Sequence, residues 1–368
     1  MFAARPSRAS LFTLFTLAAI AGVPYCLTSP LRADDGAMEV KTLSSQASSR
    51  EQYDRDVDRA ALSAQQSAIE RLHALLKKYA NTHQEPILLS KLAELQQQKA
   101  DIQFRVAHGM ASRKTKPGAP ARALDLTQYH KTLNDSVGTL DLLIAKHPNY
   151  EEIAHAYYSR GKAYEDMEKK AEAARDYSLL VTRFPQADET SAAYMALADF
   201  AIEANDHPKA IGYLKEIEKR PEDPHYPFAL YKLAWSYYNL KNVPAALGYA
   251  EKQIAYYNEH APADKAVETP DNANVMGAGS DNALRENTLL DVPVFYFDAV
   301  EAKDDRYPPS KALAYFRKLN EGTKERDHGA NGSTFGKMAV RFSKLLRTRN
   351  MEPELIAWKD QFLDEEPK

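Results

Sequence analysis

The sequence predicts an all-α chain built as a solenoid of stacked helix pairs. Two observations predict it. First, three segments line up in tandem: "YYSRGKAYEDMEKKAEAARDYSLLVTRFP" from Tyr157, "YMALADFAIEANDHPKAIGYLKEIEKRP" from Tyr194 and "LYKLAWSYYNLKNVPAALGYAEKQI" from Leu230. Ala173, Ala210 and Ala246 hold the same place in each, at separations of 37 and 36 residues. A recurrence at that period marks an array of repeated units rather than a single enzyme core. Second, 14 glycines among 368 residues disfavour an all-β fold with many tight turns, while 21 tyrosines suit helix-pair interfaces. There the ring packs and the hydroxyl stays wet.

Each unit reads as two helices and a turn. Tyr157, Gly161 and Tyr164 lie at i, i+4 and i+7, one helical face. Gly161 has no side chain where a neighbouring helix must come close. "EDMEKK" makes a polar turn, and Ala173, Tyr177 and Leu180 form the next apolar stripe. Phe184-Pro185 ends it, because the residue before a proline avoids helical dihedrals.

These residues resemble the tetratricopeptide repeat. Unit one is similar at Tyr157, Gly161, Tyr164, Ala173, Tyr177 and Pro185. Unit two is similar at Tyr194, Leu197-Ala198, Ala210 and Leu214, with Pro221 one place early and Ala201 where the family prefers tyrosine. Unit three is similar at Leu230, Leu233-Ala234, Tyr237 and Ala246, with Ala250 where a large residue is usual and no closing proline. The resemblance implies a right-handed α-solenoid that binds proteins and is not an enzyme. It also extends to bacterial envelope proteins of secretion, outer-membrane assembly, cell division and gliding motility.

The rest of the chain divides around this core. Residues 1–33 resemble a secretory signal, with Arg5 and Arg8 ahead of the apolar run Leu11 to Val23 and cleavage expected after Ala33. The run is shorter than the roughly 20 residues that span a bilayer, although an uncleaved anchor is the alternative. Cys26 is the only cysteine, and Tyr25 before it fits a lipoprotein signal badly. Cleavage leaves 45 basic against 51 acidic residues, a net −6, and no thiol for a disulfide, a metal or nucleophilic work. No basic surplus points to nucleic acid. The expected location is periplasmic or secreted, with no stable membrane span after cleavage and outer-membrane association as a variant.

Residues 34–52 read as a flexible tether. Residues 53–153 read as divergent helical repeats. Ala68, Leu72 and Leu75 mark one helix, Leu88, Leu92 and Leu95 a second that reaches about Val106, and Tyr129 to Ile144 a third. A basic loop is expected at 108–123. Pro148 lies 37 residues before Pro185, so the third helix closes a divergent unit. The regular units occupy 154–258 and a polar loop 259–284. Divergent repeats and a cap follow over 285–368, where Pro293 is expected to kink or restart a helix.

In the resembled family the first helices of successive units line a concave groove. The corresponding residues are His155, Tyr158, Lys162 and Glu165 in unit one, Ala192, Met195, Asp199 and Ile202 in unit two, and Phe228, Tyr231, Trp235 and Tyr238 in unit three. The groove is expected to take a peptide or helix of an envelope protein, chiefly on Tyr158, Lys162, Met195, Asp199, Tyr231, Trp235 and Tyr238. Rings of this kind bury much area at little entropic cost, and Trp235→Ala with Tyr238→Ala is expected to weaken capture without unfolding. No unit has the Lys and Asn pair of a carboxylate clamp. The ten histidines are scattered, and the sequence has no His-Glu-x-x-His, paired-cysteine or phosphate-loop motif, so no cofactor is expected. A peptidoglycan-binding or cell-wall-processing helical protein is the rival reading, and self-association through the third unit is a further one.

Overall fold

A computed structural model describes residues 35–111, 124–260, 281–321 and 333–365. The expected signal segment lies outside them. The chain forms two compact units, residues 1–57 and 58–368. The described part of the first is the opening stretch of helix α1, which covers Asp35–Lys78. Helix α1 corrects the expected tether at 34–52. Gly36 is the only glycine in its first 18 residues, which contain no proline, and Glu, Met, Gln, Lys and Ala all favour a helix.

The second unit is helical throughout its described residues, apart from its turns. After the remainder of α1 come α2 (Glu85–Ala111), α3 (Thr127–Lys146), α4 (Ile153–Asp166), α5 (Lys170–Arg183), α6 (Thr190–Glu203), α7 (His207–Glu218), α8 (Tyr226–Asn239), α9 (Val243–His260) and α10 (Asp281–Glu301). A short 3-10 turn, Pro309–Lys311, leads into α11 (Ala312–Asn320), followed by α12 (Thr334–Thr348) and α13 (Glu352–Glu365). Consecutive helices pack on one another from α2 to α13. The helix ends trim two expected loops. Residues 108–111 close α2, 259–260 close α9 and 281–284 open α10; the remainder, 112–123 and 261–280, lies outside the described residues.

Two turn types alternate. Within a pair, the turn holds one residue with left-handed backbone: Glu168, Asn205, Lys241, Lys303 and Asn350, with φ of 60, 57, 61, 55 and 56°. Around each, the next amide reaches back to a carbonyl of the last helical turn, as Lys169 N does to Tyr164 O and Asn242 N to Tyr237 O, both within 2.9 Å. That is the bonding of a Schellman end, which satisfies orphan carbonyls of the first helix. Between pairs, two bonds follow in series instead, as in Ala187 N to Phe184 O and Thr190 N to Ala187 O. The link from α1 to α2 has the bonds of this second pattern, with Thr82 N to Tyr79 O and Glu85 N to Thr82 O, and one left-handed residue of its own, Asn81, with φ of 58°. The C-terminal half of α1 therefore takes the place of a second helix, and α2 that of a first.

The alanines of the repeat are core residues: Ala173, Ala210 and Ala246 are fully buried. Gly161 is the close approach the sequence implied, since a Cβ there would stand 2.7 Å from the Tyr177 ring. Ala250, small where the family wants bulk, is also fully buried, and shares a cluster with Val292, Phe295 and Tyr296 of α10. Pro293 neither ends nor restarts α10. On the turn before it, Arg341 Nη1 donates to the Leu290 carbonyl at 2.5 Å and so ties α12 to α10.

Candidate partner-binding face

The face in question is made by the first helices α4, α6 and α8. On α4, His155 and Lys162 are exposed and Tyr158 is half-buried, its ring 5.8 Å from that of Tyr177. His155 Nδ1 sits 2.9 Å from Glu189 Oε1, and that hydrogen bond holds the imidazole above its ordinary value. Lys162 Nζ lies 3.8 Å from Asp166. Burial opposes its charge, but Asp166 and Glu165 outweigh this and raise the ammonium. Burial pushes the Asp166 carboxyl up. Glu165 faces inward instead, accepting from Tyr177 Oη at 2.8 Å.

On α6, Ala192, Asp199 and Ile202 are half-buried. Asp199 meets Lys232 of α8 at 2.6 Å. Met195 corrects the expectation. It is 1 % exposed and packs with Leu214, Ile217 and Leu230. Helix α6 also buries Thr190, Ser191, Ala193, Leu197, Ala198 and Ala201, so it is enclosed on most sides by its neighbours, as a helix apolar nearly all round must be.

On α8, Phe228, Tyr231, Trp235 and Tyr238 are half-buried rather than open. Helix α10 engages three of them. Tyr231 Oη and Trp235 Nε1 both donate to Asp291 Oδ2, at 3.0 and 3.1 Å. The Phe295 ring meets Trp235 edge-on at 5.0 Å and Tyr238 at 4.8 Å. Arg341 of α12 completes the group, 3.3 Å from Asp291 Oδ1. Burial raises the Asp291 carboxyl against the pull of Tyr231, Arg341 and Trp235. Burial, with Asp291 adding to it, pushes Tyr231 up to about 12. The aromatic row is thus an inter-unit joint, and truncating it costs packing. Tyr237 faces its own pair, stacked on Tyr249 at 5.3 Å.

Sequence reasoning missed Glu189, Lys232, Asp291 and Arg341. Asp291, Phe295 and Asp298 repeat the i, i+4, i+7 spacing of Tyr231, Trp235 and Tyr238 at a constant offset of 60 residues, and that spacing was the available signal. Among the described residues, no group of acidic, histidine or cysteine side chains could hold a metal, and no helix is long and apolar enough to cross a membrane.

The tetratricopeptide repeat model matches residues 155–187 and 228–257, the helix pairs α4–α5 and α8–α9. The chain carries tetratricopeptide repeats. No curated protein matches it. Among solved structures, BtubC (BKLC) of P. vanneervenii is similar at 14% identity and a TM-score of 0.46, over 75% of this chain and 96% of that one. Yeast Tom70 is similar at 12% identity and a TM-score of 0.35, over 83% of this chain and 56% of that one. Repeats of this type support reading the chain as a scaffold for protein–protein interaction.

Proposed function

We propose that the chain is a non-enzymatic adaptor of a bacterial envelope complex, and that it receives a segment of a partner protein across the first-helix face of α4 and α6. The observation that carries this reading is the tandem of repeats whose first helices leave Lys162 and His155 exposed and Tyr158, Asp199 and Lys232 half-exposed. The third-unit aromatics join α8 to α10 instead. Envelope location rests on the sequence alone, through the basic and apolar order of residues 1–33.

The test pairs Lys162→Glu with Asp199→Lys. Wild-type protein in envelope extract should retain a defined partner, and a photo-crosslinker at position 162 should mark it. The double variant should lose that partner with its helicity unchanged. A variant that retains it, or a wild type that sediments with purified peptidoglycan and captures no protein, overturns the proposal.

A further inference from the structure

A second surface lies away from the first-helix face, among α1, α2 and α3. It is a trough of about 840 Å³ lined by three helical stripes. Helix α1 supplies Gln66, Ile69, His73 and Lys77, α2 supplies Leu89, Leu92, Gln96 and Lys99, and α3 supplies Thr132, Asp135, Thr139 and Leu142. Each stripe steps by three or four residues, so each is one face of its helix. The floor is apolar: Leu89 and Leu92 are 2 % exposed. Leu142 on the wall is 41 % exposed. Ten residues of α3 at 1.5 Å rise give a length of roughly 15 Å, about three turns of a docked helix.

The register of the repeat explains why the trough is open here. Counting back 37 residues from Ala173 gives Ser136. Three places beyond the repeat alanine, unit one has Asp176, bound to Arg160 of α4 at 2.7 Å, and units two and three have Tyr213 and Tyr249. Tyr249 ties α9 to α7, accepting from Lys215 at 2.6 Å and donating to Glu218 at 3.2 Å. Tyr213 packs against the clusters of both neighbouring units. The same place in α3 is Thr139, which turns to Gln96 of α2 at 2.9 Å. Beside it a Cβ on Gly138 would meet nothing within 4 Å. Helix α1 is held to α2 by a small cluster of Ile69, Leu72 and Leu92 and by polar contacts such as Lys99 to Gln66 at 2.7 Å. Among the described residues, no hydrogen bond or ion pair joins the 66–77 stretch of α1 to α3.

The charges on the trough select its occupant. Lys77 and Lys99 have no ion-pair partner among the described residues, and His73 stands beside them. Asp135 is the one acid in the lining. We infer that the trough is a second docking site, and that it takes an amphipathic helix of a partner protein with an apolar stripe flanked by acidic residues. The stripe meets Leu76 and Leu142 over the buried floor of Leu89 and Leu92, and the acids meet Lys77 and Lys99. Helix-in-groove recognition of this kind reads apolar anchors at i, i+3, i+4 and i+7.

The experiment uses the full chain and a fluorescent 16-residue helical peptide with leucines at those anchor positions and glutamates beside them. Its fluorescence anisotropy should report saturable binding. Thr139→Tyr, which restores the residue of units two and three, should weaken that binding by roughly tenfold or more. Leu142→Glu should do the same through charge, and circular dichroism should find both variants as helical as the wild type. A peptide with lysines in place of the glutamates should bind more weakly. Lys162→Glu with Asp199→Lys should leave peptide binding unchanged, which separates this site from the first-helix face. Equal binding of the lysine peptide, no saturable binding, or full binding by Thr139→Tyr overturns the inference. So does a wild-type dimer that Thr139→Tyr dissociates, because the occupant is then a second copy of the chain.

Discussion

Gly161 and Tyr177 illustrate how a single position fixes a helix pair. The Tyr177 ring is 1 % exposed and its hydroxyl is committed to Glu165, so it has nowhere to go when a methyl group appears 2.7 Å from it. Gly161→Ala is therefore expected to destabilise the chain by about 1–3 kcal/mol through overpacking, despite the higher helix propensity of alanine, and a urea melt measures it. His155 and Glu189 give a pH dependence. The histidine is raised, so its contribution is complete below its unfolded value and fades as pH rises through the folded one. Glu189 is lowered, so its contribution is lost as pH falls through its own folded value. The link should be strongest between the ordinary carboxylate range and the raised imidazole. In His155→Gln the melting temperature should lose the corresponding fall as pH rises above the ordinary imidazole range. At this scale the sequence was informative about Gly161, because glycine inside a helical stripe has few other reasons to be there. It placed His155 on the groove but without a partner, because Glu189 lies 34 residues away on the turn before α6.

At the scale of the element, α8 and α10 form a matched pair. Trp235→Ala removes an indole that packs edge-on against Phe295 and hydrogen-bonds Asp291. The expected cost is about 3 kcal/mol, read as a lower thermal midpoint, with no loss of a site on α4 and α6. Periodicity placed every helix of the regular units, since a 3.6-residue stripe survives without knowledge of its neighbour. It did not reveal that the aromatics of α8 had a partner, because residues 261–280 set α10 out of phase with the repeat. Met195 failed for a related reason. Its register matched the open face of the family, but α6 is covered by units on both sides, and burial follows those neighbours rather than the helix's own pattern.

Across the second unit, from Asp58 onward, helix pairs touch mainly their neighbours, so stability approximates a sum over units and junctions. The largest core cluster joins α8 through α13, whereas α1 is held by a few leucines and Ile69. The array was legible in the sequence because its alanines keep their spacing. Its beginning was not, because helix-compatible residues near 34–52 carry no apolar stripe that would separate a helix from a tether.

The left-handed residues in the turns have a consequence for how this protein could be altered. Lys241 and Glu168 hold a backbone shape that an L-residue adopts at a cost of roughly 1 kcal/mol, and that glycine adopts freely. Their side chains lie at separate turns with no common partner, so Glu168→Gly should raise the unfolding free energy by about 1 kcal/mol, Lys241→Gly by less because its ammonium lies 3.9 Å from Asp298 and over the Tyr238 ring, and the two should add when combined. Chemical denaturation of the single and double variants checks this. The chain thus has thermostability in hand in its turns, and can be made hardier for biochemical work by changes of backbone shape alone.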